Sequence, residues 1–172
     1  MGLHHVAYAT RDIAATVHFY ESLMGFPLIH SEGDRRTSDA GEHRIEHFFF
    51  DIGDDESIAF FVLDNIGEQP GWTTDISTSV GLPEWVNHCA FRATEAQQHD
   101  VKGRMDAAGI KPHMEIDHGW CQSVYYLDPN QILVELCRDT PGLTPDTDAA
   151  RARLDEAMSQ GLGAGAVAGG AS

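Results

Sequence analysis

The chain is short of positive charge: 11 Lys and Arg stand against 27 Asp and Glu, a formal net charge of −16. A surface of that sign repels polyphosphate and anionic headgroups, so neither nucleic acid nor an acidic membrane is an expected partner. Long apolar runs are missing too. No stretch approaches the ~20 residues that cross a bilayer, and the first residues lack the basic-then-apolar pattern of a leader. Cysteine is scarce. Cys89, Cys121 and Cys137 are odd in number and lack metal-site spacing, which fits a reduced cytoplasm. What remains is ordinary: 172 residues, 42% hydrophobic and 22% charged, enough for one domain with a real core.

The chain repeats itself. His5-Val-Ala-Tyr8 returns as His88-Cys-Ala-Phe91, and in each half an acidic residue, Asp12 or Glu95, follows seven positions after the His. A helical run comes next, ended by Gly25 in one half and Gly109 in the other. A unit this long is no solenoid repeat; it is one supersecondary module used twice.

Each module reads as strand, helix, then three strands. Leu3 to Ala9 is a strand, and Thr10-Arg11-Asp12 offers caps for a helix from Ile13 to Met24 with Gly25 as its left-handed stop. Phe26 to His30 is a strand, and polar Ser31 to Glu42 a loop. His43 to Ile52 and Ser57 to Leu63 form a hairpin. The second module has a strand over Val86 to Arg92, a helix over Glu95 to Ala108 capped by Thr94, and a short strand around Pro112 to Ile116. A hairpin then joins 122–127 to 131–137 across Asp128-Pro129-Asn130, where Pro presets φ and Asn tolerates the left-handed region. The fold expected is α+β: paired βαβββ modules in a mixed sheet curled around a cleft, with helices on the convex face. The domain spans 1–139, with module one over 1–63 and module two over 84–139. Residues 64–83 have no counterpart in module two and read as an inserted loop of the kind that forms lids. Residues 140–172 hold a helix over Asp146 to Met158 and a Gly/Ala tail that cannot order itself.

Strand alternation puts His5, Ala7 and Ala9 on one face and Tyr8 on the other; in module two, His88 and Ala90 oppose Cys89 and Phe91. With helices over the bulkier face, both histidines look into the cleft. Glu135 sits in the apolar strand Ile132-Leu-Val-Glu-Leu-Cys137, where an ionised carboxylate costs several kcal/mol unless it is paired or binds a cation. Two His and one carboxylate are the set that holds Fe(II) or a similar divalent ion with positions left open.

The run His5-Val-Ala-Tyr…Asp12…Phe19-Tyr20-Glu…Met24-Gly25-Phe26, then Asn87-His88-Cys-Ala-Phe91, then Tyr125-Tyr-Leu-Asp-Pro-Asn130…Val134-Glu135-Leu136, resembles the vicinal oxygen chelate superfamily. Its members include glyoxalase I, methylmalonyl-CoA epimerase, fosfomycin and bleomycin resistance proteins and extradiol dioxygenases. The resemblance implies the paired-module fold, metal ligands at His5, His88 and Glu135, a small-molecule substrate and a homodimer. Its fourth ligand position falls at Phe61, or at Phe60 if shifted by one, so three ligands remain, as in ring-cleaving members. Ser123-Val-Tyr125 is similar to the extradiol segment whose Tyr hydrogen-bonds the substrate, which gives Tyr125 that role, with His118 as the His those enzymes carry upstream of it. Where those enzymes have an acid/base His before the module-one strand, this chain has Glu56; His47 lies on the neighbouring strand. The first expectation is an Fe(II) dioxygenase that takes dioxygen as co-substrate. The alternatives are a lyase or isomerase using Zn, Ni, Co or Mn, and a drug-binding resistance protein. Cys121 and Cys137 have no evident activating partner and read as packing.

Overall fold

Asp12 opens the first helix by accepting the Ala15 N–H on its carboxylate at 2.9 Å, satisfying a donor that a helix start leaves without a partner. In the computed structural model, which describes residues 2–39, 41–142 and 144–163, the chain before it is β1 (His5–Ala9). Helix α1 runs over Ile13–Val17 and continues through His18–Met24 in the wider π-helical winding. Gly25 ends it at φ 83°, a conformation that a Cβ would strain. Strands β2 (Leu28–Ser38), β3 (Gly41–Gly53) and β4 (Glu56–Asp64) complete module one. Module two is β5 (His88–Arg92), α2 (Glu95–Ala107), β6 (Met114–Asp117), β7 (Cys121–Leu127) and β8 (Leu133–Asp139). Thr94 caps α2 in a reciprocal box with Gln97.

Hydrogen bonding closes two four-stranded sheets, in the orders β1-β4-β3-β2 and β5-β8-β7-β6. The first strand of each module pairs in parallel with the last, and the other pairings are antiparallel. The two sheets share one core. Tyr20, Phe50, Ile58 and Phe60 from module one pack in the same cluster as Phe91, Met105, Val124 and Leu136 from module two. Val6, Tyr8 and Cys89 pack against that cluster, whereas His5, Ala7, His88 and Ala90 are exposed on the opposite faces. The alternation expected from the sequence therefore holds.

Polar links stitch the modules together. Tyr20 donates its hydroxyl to Asp128 Oδ2 at 3.0 Å, and Asn130 Nδ2 donates to Thr16 Oγ1 at 3.2 Å. Arg104 on α2 donates to the Leu23 and Met24 carbonyls that end the first helix. Asp128 is buried, yet it also accepts the Asn130 and Ile132 amides. In this turn the positive φ, 64°, falls on Gln131 and not on Asn130.

One expected loop is a strand. Residues 31–38 continue β2, paired with β3 from Ser31↔Phe48 to Ser38↔Gly41. They bury no face, so no apolar alternation marks them; the backbone ladder and the Arg35–Glu42 ion pair hold the hairpin. Residues after Asp64 form an irregular segment with one 3₁₀ turn, Thr78–Val80, before β5. The chain divides into compact units at Thr140/Pro141. The C-terminal one carries α3 (Thr147–Ser159), capped by Asp146; of the Gly/Ala tail, 164–172 lie outside the described residues.

Candidate metal centre

Glu135 lies on the face of β8 away from the core and is 5% exposed. Its register partners are Ala90 on β5 and Tyr125 on β7. Ser123 donates its hydroxyl to Glu135 Oε1 in a short contact, and His88 Nε2 lies 3.1 Å from Oε2. The other nitrogen of His88, Nδ1, lies 3.1 Å from the Trp85 carbonyl oxygen. A carbonyl only accepts, so Nδ1 carries a hydrogen, and in the neutral ring Nε2 turns its lone pair to a carboxylate. Two acceptors facing each other need a proton or a cation between them. A backbone carbonyl on the far nitrogen is also the usual outer partner of a metal-ligating imidazole. These two side chains fit a divalent ion.

Asn87, beside His88, is held by the end of the inserted segment. Ser77 Oγ accepts the Asn87 amide at 2.9 Å and donates to the Asn87 carbonyl, and Asn87 Nδ2 donates to the Ile76 carbonyl at 2.6 Å. At the other end, the Arg11 guanidinium lies 4.2 Å from the Trp72 ring centroid.

Tyr125 and His118 meet: the Tyr125 hydroxyl is 3.0 Å from His118 Nε2. Burial raises the Tyr125 pKa, with the negative charge of Glu135 adding to it, so the phenol stays a hydrogen-bond donor at neutral pH. Cys121 is fully buried on the same face, 3.5 Å from the Ser123 hydroxyl. Ligand atoms of His118, Cys121 and Glu135 all lie within 4.8 Å of one another, the one such group of three among the described residues. Cys121, expected from the sequence to be a packing residue, belongs to this group. Its signal was the spacing His118-Gly-Trp-Cys121, inside the range common in zinc sites.

His5 has different neighbours. Its Nδ1 is 2.8 Å from that of His4, and its ring packs edge-on to Phe49 and near His47, all in module one. His47 stacks on Phe61 at 3.6 Å, its Nε2 buried without a partner, and burial lowers its pKa. Glu56 accepts the Leu3 amide at 3.1 Å.

Register corrects the fourth ligand position. His88 pairs with Leu133 and Ala90 with Glu135, while His5 pairs with Ser57 and Ala7 with Ala59. The counterpart of Glu135 is therefore Ala59 rather than Phe60 or Phe61. Ala59 has no donor atom.

The sequence profile described as "Glyoxalase/Bleomycin resistance protein/Dioxygenase superfamily" matches residues 2–136. The chain belongs to this superfamily. That membership supports a metal-dependent enzyme or a resistance protein acting on a small molecule. No curated protein matches the chain. Solved structures share the superfamily's fold. The fosfomycin resistance protein FosX from Listeria monocytogenes, as a mutant complexed with Mn(II) and 1S,2S-dihydroxypropylphosphonic acid, is 21% identical; 81% of this chain and 94% of that one are covered, at a TM-score of 0.52. Lactoylglutathione lyase from Agrobacterium tumefaciens is 18% identical, with 80% and 92% covered and a TM-score of 0.52. A glyoxylase/bleomycin resistance protein/dioxygenase domain from Frankia sp. EAN1pec is 17% identical, with 83% and 95% covered and a TM-score of 0.55. Among the described residues no helix is long and apolar enough to cross a membrane.

Proposed function

We propose that this superfamily member is a metal-dependent enzyme for small substrates that chelate through two neighbouring oxygens. Its protein ligands are His5, His88 and Glu135, its metal is Fe(II), and its reaction is an extradiol-type oxygenation. Ala59 carries this reading: with no donor at the counterpart of Glu135, three protein ligands leave an octahedral ion three positions for substrate and dioxygen. When bound, the ion supplies Lewis-acid polarisation of the substrate oxygens and a site for dioxygen.

The chain's own residues do the rest. Trp85 fixes the tautomer of His88 through its carbonyl, and Ser123 orients the Glu135 carboxylate. Tyr125 donates a hydrogen bond to a substrate oxygen, and His118 Nε2, in contact with that hydroxyl, receives or returns its proton. His5 is exposed, touches only module-one side chains and is absent from the cluster around Glu135. In this reading the protein is a homodimer, and His5 of the partner subunit completes each centre.

A second reading is a redox-neutral lyase or isomerase using Zn, Ni, Co or Mn. Glu56 favours it: the side chain in the place of the extradiol acid/base His is tied to the Leu3 amide. Oxygen uptake by Fe(II)-loaded protein against a panel of catechols decides between them. Uptake with ring cleavage is expected. No uptake, with turnover of thiohemiacetals or acyl thioesters by Zn-, Ni- or Mn-loaded protein, gives the second reading.

A further inference from the structure

The cluster behind the candidate centre has a chemistry of its own. His118 and Cys121 sit at the two ends of the β6–β7 turn, which the His118 amide closes by donating to the Cys121 carbonyl at 2.9 Å. Gly119, at φ 81°, makes the turn tight without strain. Glu135 approaches from the next strand, with His88 3.1 Å from its other oxygen. The set is one imidazole nitrogen, one sulfur and one carboxylate oxygen within 4.8 Å. Zinc-to-nitrogen and zinc-to-sulfur bonds of about 2.0–2.3 Å span that separation after small side-chain rotations. Donors of this mixture suit zinc(II) and cobalt(II) and are poor for magnesium or calcium.

We propose that module two by itself binds a thiophilic divalent ion, of the zinc(II) class, through His118, Cys121 and Glu135, with His88 as the neighbouring fourth donor. As the metal–sulfur bond forms, the Cys121 thiol gives up its proton to solvent. The same carboxylate thus serves two donor sets: one with His5, one with His118 and Cys121. A thiophilic ion in the second set occupies Glu135 and blocks the first, making it an inhibitor of the proposed oxygenase. The binding claim does not depend on that reaction.

Cobalt(II) is the probe, because a thiolate ligand gives it an intense near-ultraviolet charge-transfer band that nitrogen and oxygen ligands do not. The full-length protein is titrated with cobalt(II) as wild type, Cys121→Ser, His118→Ala and His5→Ala, with circular dichroism checking each fold. The band is expected in wild type and in His5→Ala at about one ion per chain. It should be lost in Cys121→Ser and weakened at least about tenfold in apparent affinity in His118→Ala, an exposed turn position. Stoichiometric cobalt without the band in wild type, or an unchanged band in Cys121→Ser, overturns the inference. The separate failure of the His5 reading is a His5→Ala variant with wild-type turnover, whatever the band does. Wild type that takes up no cobalt defeats both.

Discussion

His88 Nε2 and Glu135 Oε2 stand 3.1 Å apart, with the Nδ1 of His88 facing the Trp85 carbonyl on the other side of the ring. That pairing makes the two side chains halves of one ligand unit. Replacing either by Ala is expected to lower divalent-metal affinity more than about 100-fold, beyond the 10–100-fold typical of outer-sphere changes. Calorimetric titration with Mn(II) or Fe(II) checks it, and full affinity in both variants would sink the pairing.

The two halves of the centre can be separated genetically. His5→Ala and Glu135→Ala should each be inactive alone. Refolded as an equal mixture, they should recover about a quarter of wild-type activity, because half the dimers are mixed and each has one intact site. Absence of recovery would mean that His5 serves its own chain.

Tyr125→Phe removes the hydroxyl that meets His118 and leaves every proposed ligand in place. The expected result is a kcat loss of about 100-fold or more with metal content unchanged. A KM change alone would reduce Tyr125 to a binding contact.

Tyr20→Phe tests the seam between the modules. Removing the donor to the buried Asp128 carboxylate should cost about 1–3 kcal/mol. Burial already raises the Asp128 pKa above 3.8 in the folded protein. Through the window from 3.8 up to that raised value the folded state holds more protons than the unfolded one, so stability falls as pH rises. Loss of the Tyr20 hydroxyl, which pulls the pKa down, widens the window. The variant's deficit should therefore be larger at pH 7 than at pH 3.5, read from urea unfolding at both.

The sequence carried the repeat, the faces of β1 and β5 and the apolar setting of Glu135, because period-two alternation survives wherever one face is buried. It lost β2 beyond His30, where neither face is buried and only backbone pairing to β3 defines a strand. It also misplaced the fourth ligand position. Phe61 and Ala59 lie on the same face, so alternation cannot separate them; register can, and the β1–β4 pairing sets it. Cys121 reads as packing because its neighbours, His118 and Glu135, come together only when the β6–β7 turn folds back beside β8.

The shared core ends the independence of the two repeats. Phe91 packs edge-on against Phe26, Tyr20 donates to Asp128, and Val134 and Leu136 belong to the same buried cluster as Tyr20 and Phe50. Either half expressed alone would present a broad greasy flank to water and collapse or aggregate instead of standing as a miniature domain. The two copies are obligate companions, and a substitution along their seam is felt by both.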